Sequence, residues 1–230
     1  LGTVAKRIGD QEIESKLTTS DPIELAADMA QMVEAGSTHL VMEVSSHALD
    51  QRRVDGVEFD MAAFTNLSHD HLDYHDDLKS YASSKKQLFD SLDPQATAII
   101  NGDDKQASFI AMDCPSKIID FSFKKALEVE CQVLSDNING LVLRIAQTVI
   151  ESPLVGTFNA YNLTEAFLIC RALGYDDEAI ANALEAAPGA AGRLERVAGS
   201  GKNGNPVVLV DYAHTPDALE NVASTLSDIK

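Results

Sequence analysis

Apolar positions along this chain follow two periods. Leu25, Met29, Met32 and Val33 recur at helical spacing. Asp21 can cap that helix, Pro22 suits its first position, Glu24 sits three past the cap, and Gly36 can close it. Residues 39–44 form a near-continuous apolar run instead, which suits a strand buried on both faces of a parallel sheet. A second strand is expected over 59–65. Residues 78–92 return to helical spacing, with Leu78, Tyr81, Leu88 and Phe89 available to a core and Pro94 as the stop. Ala96–Ile100 reads as a strand, 104–112 as a helix and 117–123 as a strand. This order gives an α/β fold with a mainly parallel sheet flanked by helices.

The pattern changes after residue 123. Residues 127–151 hold short alternating runs around Asn137-Ile138-Asn139-Gly140, and the Asn-Gly step signals a hairpin in a small antiparallel sheet. Residues 159–173 are a helix with Leu163, Ala166, Phe167 and Cys170 on one face and Gly174 at its end; 176–186 form another. Ala187 to Pro206 is rich in Gly, Ala and Asn, as in a linker. Val207–Val210 reads as a new buried strand, and Thr215 can cap a helix from Pro216. The expected division is a central domain over 1–190, then over 191–230 a linker with the first strand and helix of a Rossmann-like C-terminal α/β domain.

Composition narrows the function. The chain has 230 residues, of which 45% are hydrophobic, enough for a packed core. Its net charge of −18 argues against sequence-independent nucleic-acid binding, which needs a basic surface. Local cations or helix N-termini can still hold a phosphate. The three cysteines, Cys114, Cys131 and Cys170, show no disulfide or zinc spacing, which fits a reducing cytoplasm. No signal peptide and no membrane-spanning run is visible. The first residue is Leu, so a segment of a longer chain is expected.

Candidate chemistry gathers where the two apolar runs end. Glu43 stands near the end of the first, where a carboxylate is costly unless it is paired or binds a metal. Taken alone, a structural ion pair is the plainer reading. His69, Asp70, His71, Asp73, His75 and Asp76 follow the second run, and an acidic group and a His from such a set could hold Mg²⁺ or Mn²⁺. Ser45, Ser46 and His47 resemble a nucleophile beside its base, but no Gly-x-Ser-x-Gly elbow accompanies them. Lys85 shares a helical face with Tyr81, one turn away, and a partly buried lysine has a lowered pKa. Two solvated lysines, Lys85 and Lys86, are the plainer reading. Asn159 and Asn162 start a helix; capping explains one of them, and two amides on one face could read a base edge. Arg193 and His214 are weak signals taken singly.

Together the motifs resemble the Mur ligase family. The strings are Leu17-Thr18-Thr19, Met42 through Gln51 with Arg53-Val54, Phe64-Thr65-Asn66-Leu67-Ser68 with Asp70-His71-Leu72-Asp73-Tyr74-His75, Tyr81 with Lys85, Leu88 and Phe89, Gly156 with Phe158-Asn159 and Asn162, Gly192-Arg193-Leu194-Glu195, and Asp211-Tyr212-Ala213-His214 with Asp217. They run in family order along nearly the whole chain and best match the branch that adds the third residue of the peptidoglycan peptide. The resemblance implies a cytoplasmic, monomeric, ATP-dependent ligase joining meso-diaminopimelate or L-lysine to UDP-MurNAc-L-Ala-D-Glu through an acyl phosphate. It implies Mg²⁺ held by Glu43, His71 and a CO₂-derived carbamate on Lys85. Thr18, Thr19, Ser45, Gln51 and Arg53 fall at positions that hold the UDP-linked substrate. Asn159 and Asn162 fall at adenine contacts, and Arg193, Asp211 and His214 at further ATP contacts.

The sequence departs from the family pattern in places. The Gly-x-x-Gly-Lys-Thr phosphate loop is not within these residues, nor are those that select the amino acid, so this piece is expected to be inactive alone. His69 stands where many relatives carry Arg. The alternatives are another ligase of the superfamily such as folylpolyglutamate synthetase, a non-catalytic nucleotide-sugar-binding module, and a Mg²⁺-dependent hydrolase built on the His/Asp cluster.

Overall fold

The structure, a computed structural model, describes residues 1–68, 74–197, 206–214 and 216–229. His69, Asp70, His71, Asp73, part of the expected linker and the Thr215 cap lie outside the described residues.

The chain opens with a hairpin that its apolar pattern did not announce, β1 (Ala5–Ile8) and β2 (Gln11–Glu14), turning at Gly9 with φ +58°. Lys6 explains why it packs. Its side chain is buried and its Nζ donates to Glu24 and Asp28 at 2.7 Å each. Burial alone would lower this amine, but the bonds to Asp28 and Glu24 outweigh it and raise it. Helix α1 (Pro22–Glu34) starts as expected, with Asp21 accepting from the amides of Ile23 at 2.9 Å and Glu24 at 3.0 Å. The Glu24 carboxylate goes to Lys6. Leu25 and Met32 are buried, whereas Val33 is 74% exposed and lies off the stripe.

Residues 39–45 do not form the expected strand. Their backbone is tied to Leu1, whose amino group donates to Val41 O at 2.8 Å and whose carbonyl accepts from Glu43 N at 2.9 Å. The run is buried on one side only. Met42 and Val44 pack against the core of Leu25, Leu49 and Val54, while Val41 and Glu43 are exposed. Helix α2 (Ser46–Asp50) follows and closes with Arg52 at φ +56°. There Arg53 N reaches Ala48 O at 2.8 Å and Arg52 N reaches Leu49 O at 3.0 Å. This pair of bonds is the helix closure usually given to glycine.

Next come β3 (Met61–Phe64), α3 (Leu78–Asp90), β4 (Thr97–Asn101), α4 (Ala107–Ala111) and β5 (Lys117–Ser122). Asp77 and Ser80 cap α3 reciprocally, and α4 is shorter than the helix expected over 104–112. Strands β6 (Val129–Asn137), β7 (Gly140–Ile145) and β8 (Thr148–Ser152) complete a six-stranded sheet in the order β3-β4-β5-β6-β7-β8. Helices join β3 to β4 and β4 to β5, the connection parallel neighbours require. β5 pairs with β6 in parallel, and β6, β7 and β8 are antiparallel. The sheet is therefore mostly parallel and flanked by helices, with a small antiparallel part.

The chain then forms α5 (Thr157–Ala172), α6 (Asp177–Glu185), β9 (Glu195–Arg196), β10 (Leu209–Val210) and α7 (Pro216–Asp228). The strand expected over Val207–Val210 is only two residues long. It pairs antiparallel with β9, inside the expected linker, and Val208 and Val210 are exposed rather than buried.

Contacts divide the chain into two compact units. The first comprises Leu1–Ala98 and Asp104–Ile118, with the core around Leu25, Leu49 and Val54. The second comprises Ile99–Asp103 and Ile119–Lys230, centred on Ile99, Phe121, Ile145, Ile150 and Phe167, all fully buried.

Two residues of the second unit give testable consequences. Register pairs Asn137 with Gly140, so the turn residues are Ile138 and Asn139, one step earlier than the Asn-Gly signal implied. A Cβ on Gly140, at φ +142°, would stand 2.1 Å from Ser152 O. Gly140→Ala should therefore cost about 3 kcal/mol or more in urea denaturation; an unchanged midpoint would contradict this geometry.

Glu165 on α5 is 5% exposed, and its Oε1 has no hydrogen-bond partner among the described residues. Burial pushes its carboxyl from 4.5 up to about 8. Below pH 4.5 both folded and unfolded states carry the proton. Between pH 4.5 and 8 only the unfolded state ionises, so stability falls with rising pH, by up to about 1.4 kcal/mol per unit. Glu165→Gln should remove this fall, and its thermal-melt advantage over the parent should be larger at pH 8 than at pH 5.

Candidate functional site

The first unit collects its motif residues through a chain of hydrogen bonds. Glu43 is exposed, not buried as its apolar neighbours suggested, so the cost of a buried carboxylate does not arise. Its Oε2 accepts from Thr3 N at 3.1 Å and Thr3 Oγ1 at 2.5 Å. Thr3 has spent its hydroxyl proton on Glu43, so the 3.2 Å contact between Thr3 Oγ1 and Thr18 Oγ1 is donated by Thr18. Thr19 Oγ1 donates to Glu43 O at 2.8 Å and accepts from Ser45 N at 3.0 Å. Ser45 caps α2, its Oγ accepting from Ala48 N at 3.2 Å.

Arg53 stands at the other end of α2. Its Nη1 donates to Thr19 O at 2.9 Å, and its Nε and Nη2 donate to Gln51 Oε1 at 3.0 and 2.6 Å. Both acceptors are uncharged amide oxygens, so these bonds orient the guanidinium without neutralising it. Gln51 Nε2 donates to Tyr74 OH at 3.2 Å, and Tyr74 OH donates to Asp50 Oδ2 at 2.7 Å. Thr18, Thr19, Ser45, Gln51 and Arg53 are thus brought together, with Glu43 attached.

Tyr74 and His75 carry the network toward α3. The His75 ring is buried, its Nε2 lies 2.9 Å from Ser46 Oγ, and it stacks on Tyr81 at 5.2 Å. Ser46 therefore meets His75, 29 residues further along the chain. Lys85 Nζ lies 5.5 Å from the Tyr81 ring centre, and desolvation lowers its pKa. A cation–π contact favours the charged amine by about 0.5–1 kcal/mol at exposed sites. Desolvation acts the other way and prevails here. Lys86 is quite different: it is 9% exposed and bonded to Asp90 and Met112 O.

The metal expectation rests on fewer residues. His71 lies outside the described residues. Among the described residues no three His, Cys, Asp or Glu side chains stand together as a metal site. The hard oxygens of exposed Glu43 fit Mg²⁺, and Lys85 would fit as an oxygen donor only after modification.

In the second unit Asn159 is buried, its Nδ2 donating to Val155 O at 2.8 Å, and Asn162 Nδ2 donates to Asn159 Oδ1 at 3.3 Å. Neither caps α5, whose N-cap is Gly156, so capping does not account for them. Asp211 accepts from Leu194 N at 2.8 Å and Ala213 N at 2.7 Å, holding Leu194 at φ +45°. Tyr212 N donates to Gly192 O at 2.8 Å, and Arg193 stands 5.9 Å from the Tyr212 ring centre. His214 Nδ1 lies 2.8 Å from Tyr212 O. A carbonyl only accepts, so Nδ1 carries the proton and Nε2 of the neutral ring presents its lone pair. Arg193, Asp211 and His214 therefore form one cluster.

Sequence reading missed Thr3 as a participant. Thr3 lies 40 residues from Glu43, and no local pattern links them. Asp103 was not singled out either. Its carboxylate accepts from Ser122 Oγ, from Phe123 N at 2.8 Å and from Tyr161 OH at 2.9 Å.

A profile of the Mur ligase middle domain matches residues 1–170. The chain belongs to the Mur ligase family. It is 40% identical over 239 residues to the UDP-N-acetylmuramoyl-L-alanyl-D-glutamate–2,6-diaminopimelate ligase of Geobacter metallireducens, covering 100% of this chain and 46% of that protein. It is 42% identical over 226 residues to the ligase of the same name from Gloeobacter violaceus, covering 96% and 46%. A solved structure of a ligase of that name superposes with a TM-score of 0.78 at 30% identity, over 99% of this chain and 48% of that one. The chain thus spans about half the length of the relatives it matches. No helix among the described residues is long and apolar enough to cross a membrane.

The two adjacent lysines of this Mur ligase segment separate by their environments. Lys86→Met should destabilise the chain by about 1–2 kcal/mol, because Met112 O loses its donor. Lys85→Met removes a desolvated amine and should leave stability equal or higher. Chemical denaturation of the two variants checks the contrast, which equal losses would refute.

Proposed function

We propose that this chain is the central part of an ATP-dependent ligase that joins meso-diaminopimelate to UDP-MurNAc-L-Ala-D-Glu. The observation that carries this reading is the network tying Thr18, Thr19, Ser45, Gln51 and Arg53 to Glu43. An oriented guanidinium whose contacts leave it un-neutralised suits an anionic substrate, and the nucleotide-sugar dipeptide is one. Relatives about 40% identical over the whole chain bear the name of this reaction. Residues 1–190 would form the central domain, and 191–230 the entry to a C-terminal domain.

In this reading the terminal carboxylate of the dipeptide attacks the γ-phosphorus of ATP, giving an acyl phosphate and ADP. The amine of the incoming amino acid then attacks the acyl carbon. Phosphate leaves, an amide forms and a proton is released. Mg²⁺ would spread the charge of the transferring phosphoryl group. Glu43, His71 and Lys85 would hold it. Lys85 would add through its neutral amine to CO₂, losing a proton to become a carbamate and so exchanging a nitrogen for an anionic oxygen donor. The low-solvation setting beside Tyr81 favours that amine. Arg53, Gln51, Ser45, Thr18 and Thr19 would serve the UDP-linked substrate. Asn159 and Asn162 would serve the adenine, and Arg193, Asp211 and His214 the rest of ATP. The enzyme would work in the cytoplasm, where ATP is supplied.

The test is ADP release by the full-length protein carrying this chain. Release should depend on both UDP-MurNAc-L-Ala-D-Glu and diaminopimelate. Arg53→Ala should raise the KM for the UDP substrate about tenfold with a smaller change in kcat. Lys85→Ala should lower kcat by about a hundredfold or more. Release that needs neither co-substrate would refute the ligase reading, and full activity of Lys85→Ala would remove the carbamate.

A further inference from the structure

Asp103 lies two residues past β4, and Phe123 follows the last residue of β5. Ligands of open α/β sheets gather at such carboxyl ends. The Asp103 carboxylate, however, is already engaged by the protein. Its Oδ1 accepts from Ser122 Oγ, and its Oδ2 accepts from Phe123 N at 2.8 Å and from Tyr161 OH at 2.9 Å. Burial alone would raise this carboxyl, but the three bonds outweigh it and lower it, so the acceptor is charged. A hydrogen bond to a charged acceptor is roughly twice as strong as a neutral one. The Tyr161 ring meets Phe123 edge to face at 4.9 Å, and the hydroxyl beyond it reaches Asp103.

Helix α5 has no capping side chain at Gly156. Its start is held instead by Asp136 of β6, which accepts from Gly156 N at 3.1 Å and Thr157 Oγ1 at 3.3 Å. Tyr161, one turn on, gives a second anchor. It stands about 200° round the helix from Asn159 and about 100° from Asn162. The hydroxyl thus fastens α5 on one side, while the bonded amides of Asn159 and Asn162 occupy another.

We propose that Tyr161 is a positioning residue for nucleotide binding: its bond to Asp103 fixes the first turns of α5 at the ends of β4 and β5, and so fixes where the Asn159 and Asn162 amides stand. The role rests on the ligase reading above, which gives those amides to the adenine. Tyr161 acts through them.

Tyr161→Phe keeps the ring and removes the hydroxyl. In the 230-residue chain, exchange of the Asn159 amide, held by Gly156 O at 2.9 Å, should accelerate about tenfold in Tyr161→Phe. Exchange at Phe167, further along α5, should keep the parental rate. In the full-length protein, Tyr161→Phe should raise the KM for ATP about tenfold, leave the KM for the UDP substrate unchanged and narrow the preference for ATP over GTP. Added to Asn162→Ala, it should raise the KM for ATP little further, because the amide it positions is gone. Full additivity of the two would overturn the proposal, as would parental exchange at Asn159. So would both KM values rising together with faster exchange at Phe167, which marks a packing role alone. If Tyr161→Phe does not fold, Asp103→Asn, which weakens the same bond, is read by the same measures. If the unaltered full-length protein uses no ATP, the ligase reading falls and the nucleotide role with it, while Asn159 exchange still decides whether Tyr161 anchors α5.

Discussion

Buried backbone amides must be paired, and at the bend over residues 43–45 that need organises the first unit. No strand ladder serves this stretch, so its hydrogen bonds come from elsewhere: Leu1 O for Glu43 N, and the Thr19 hydroxyl for Glu43 O and Ser45 N. Because those partners come from the chain start and from residue 19, pairing the backbone also gathers three separate sequence segments. Helix α2 then begins at once, with Ser45 as its cap, and its closure at Arg52 turns Arg53 back toward Thr19. The candidate cluster is largely a by-product of satisfying one short run of backbone.

The two lysines of α3 show how one helical step separates a desolvated amine from a paired one. Lys86 finds a carboxylate and a carbonyl and acts as a structural cation. Lys85, one residue earlier, meets the Tyr81 ring and little water. Tyr81 is itself packed by His75, which Ser46 holds from the start of α2. The surroundings of Lys85 therefore depend on a loop and a helix that share no local sequence with it.

The second unit reaches the same end differently. Asp211 gives both carboxylate oxygens to backbone amides and stabilises Leu194 in the left-handed region, a conformation leucine rarely adopts. That strain places Arg193 beside Tyr212, with His214 turned by its bond to Tyr212 O. Such outliers persist only where their surroundings over-determine them. Here the Gly192–Glu195 and Asp211–His214 strings fix one another.

Local chemistry in the sequence was enough for the start of α1, the α/β order and the family. Asp21, Asp77 and Asp176 cap where a short acceptor precedes an apolar stripe, because capping involves only neighbouring residues. The motif strings were legible because each keeps its own spacing. The sequence could not tell that 39–44 would be half exposed, since an apolar run looks the same whether one face or two are covered. It could not place the hairpin turn to the residue, nor find the β1–β2 hairpin, whose packing rests on Lys6 meeting two carboxylates a helix away. Nor could it separate buried Thr19 from its neighbour Thr18. Burial and long-range hydrogen bonds are properties of chain segments brought together, and only the tertiary structure decides which segments meet.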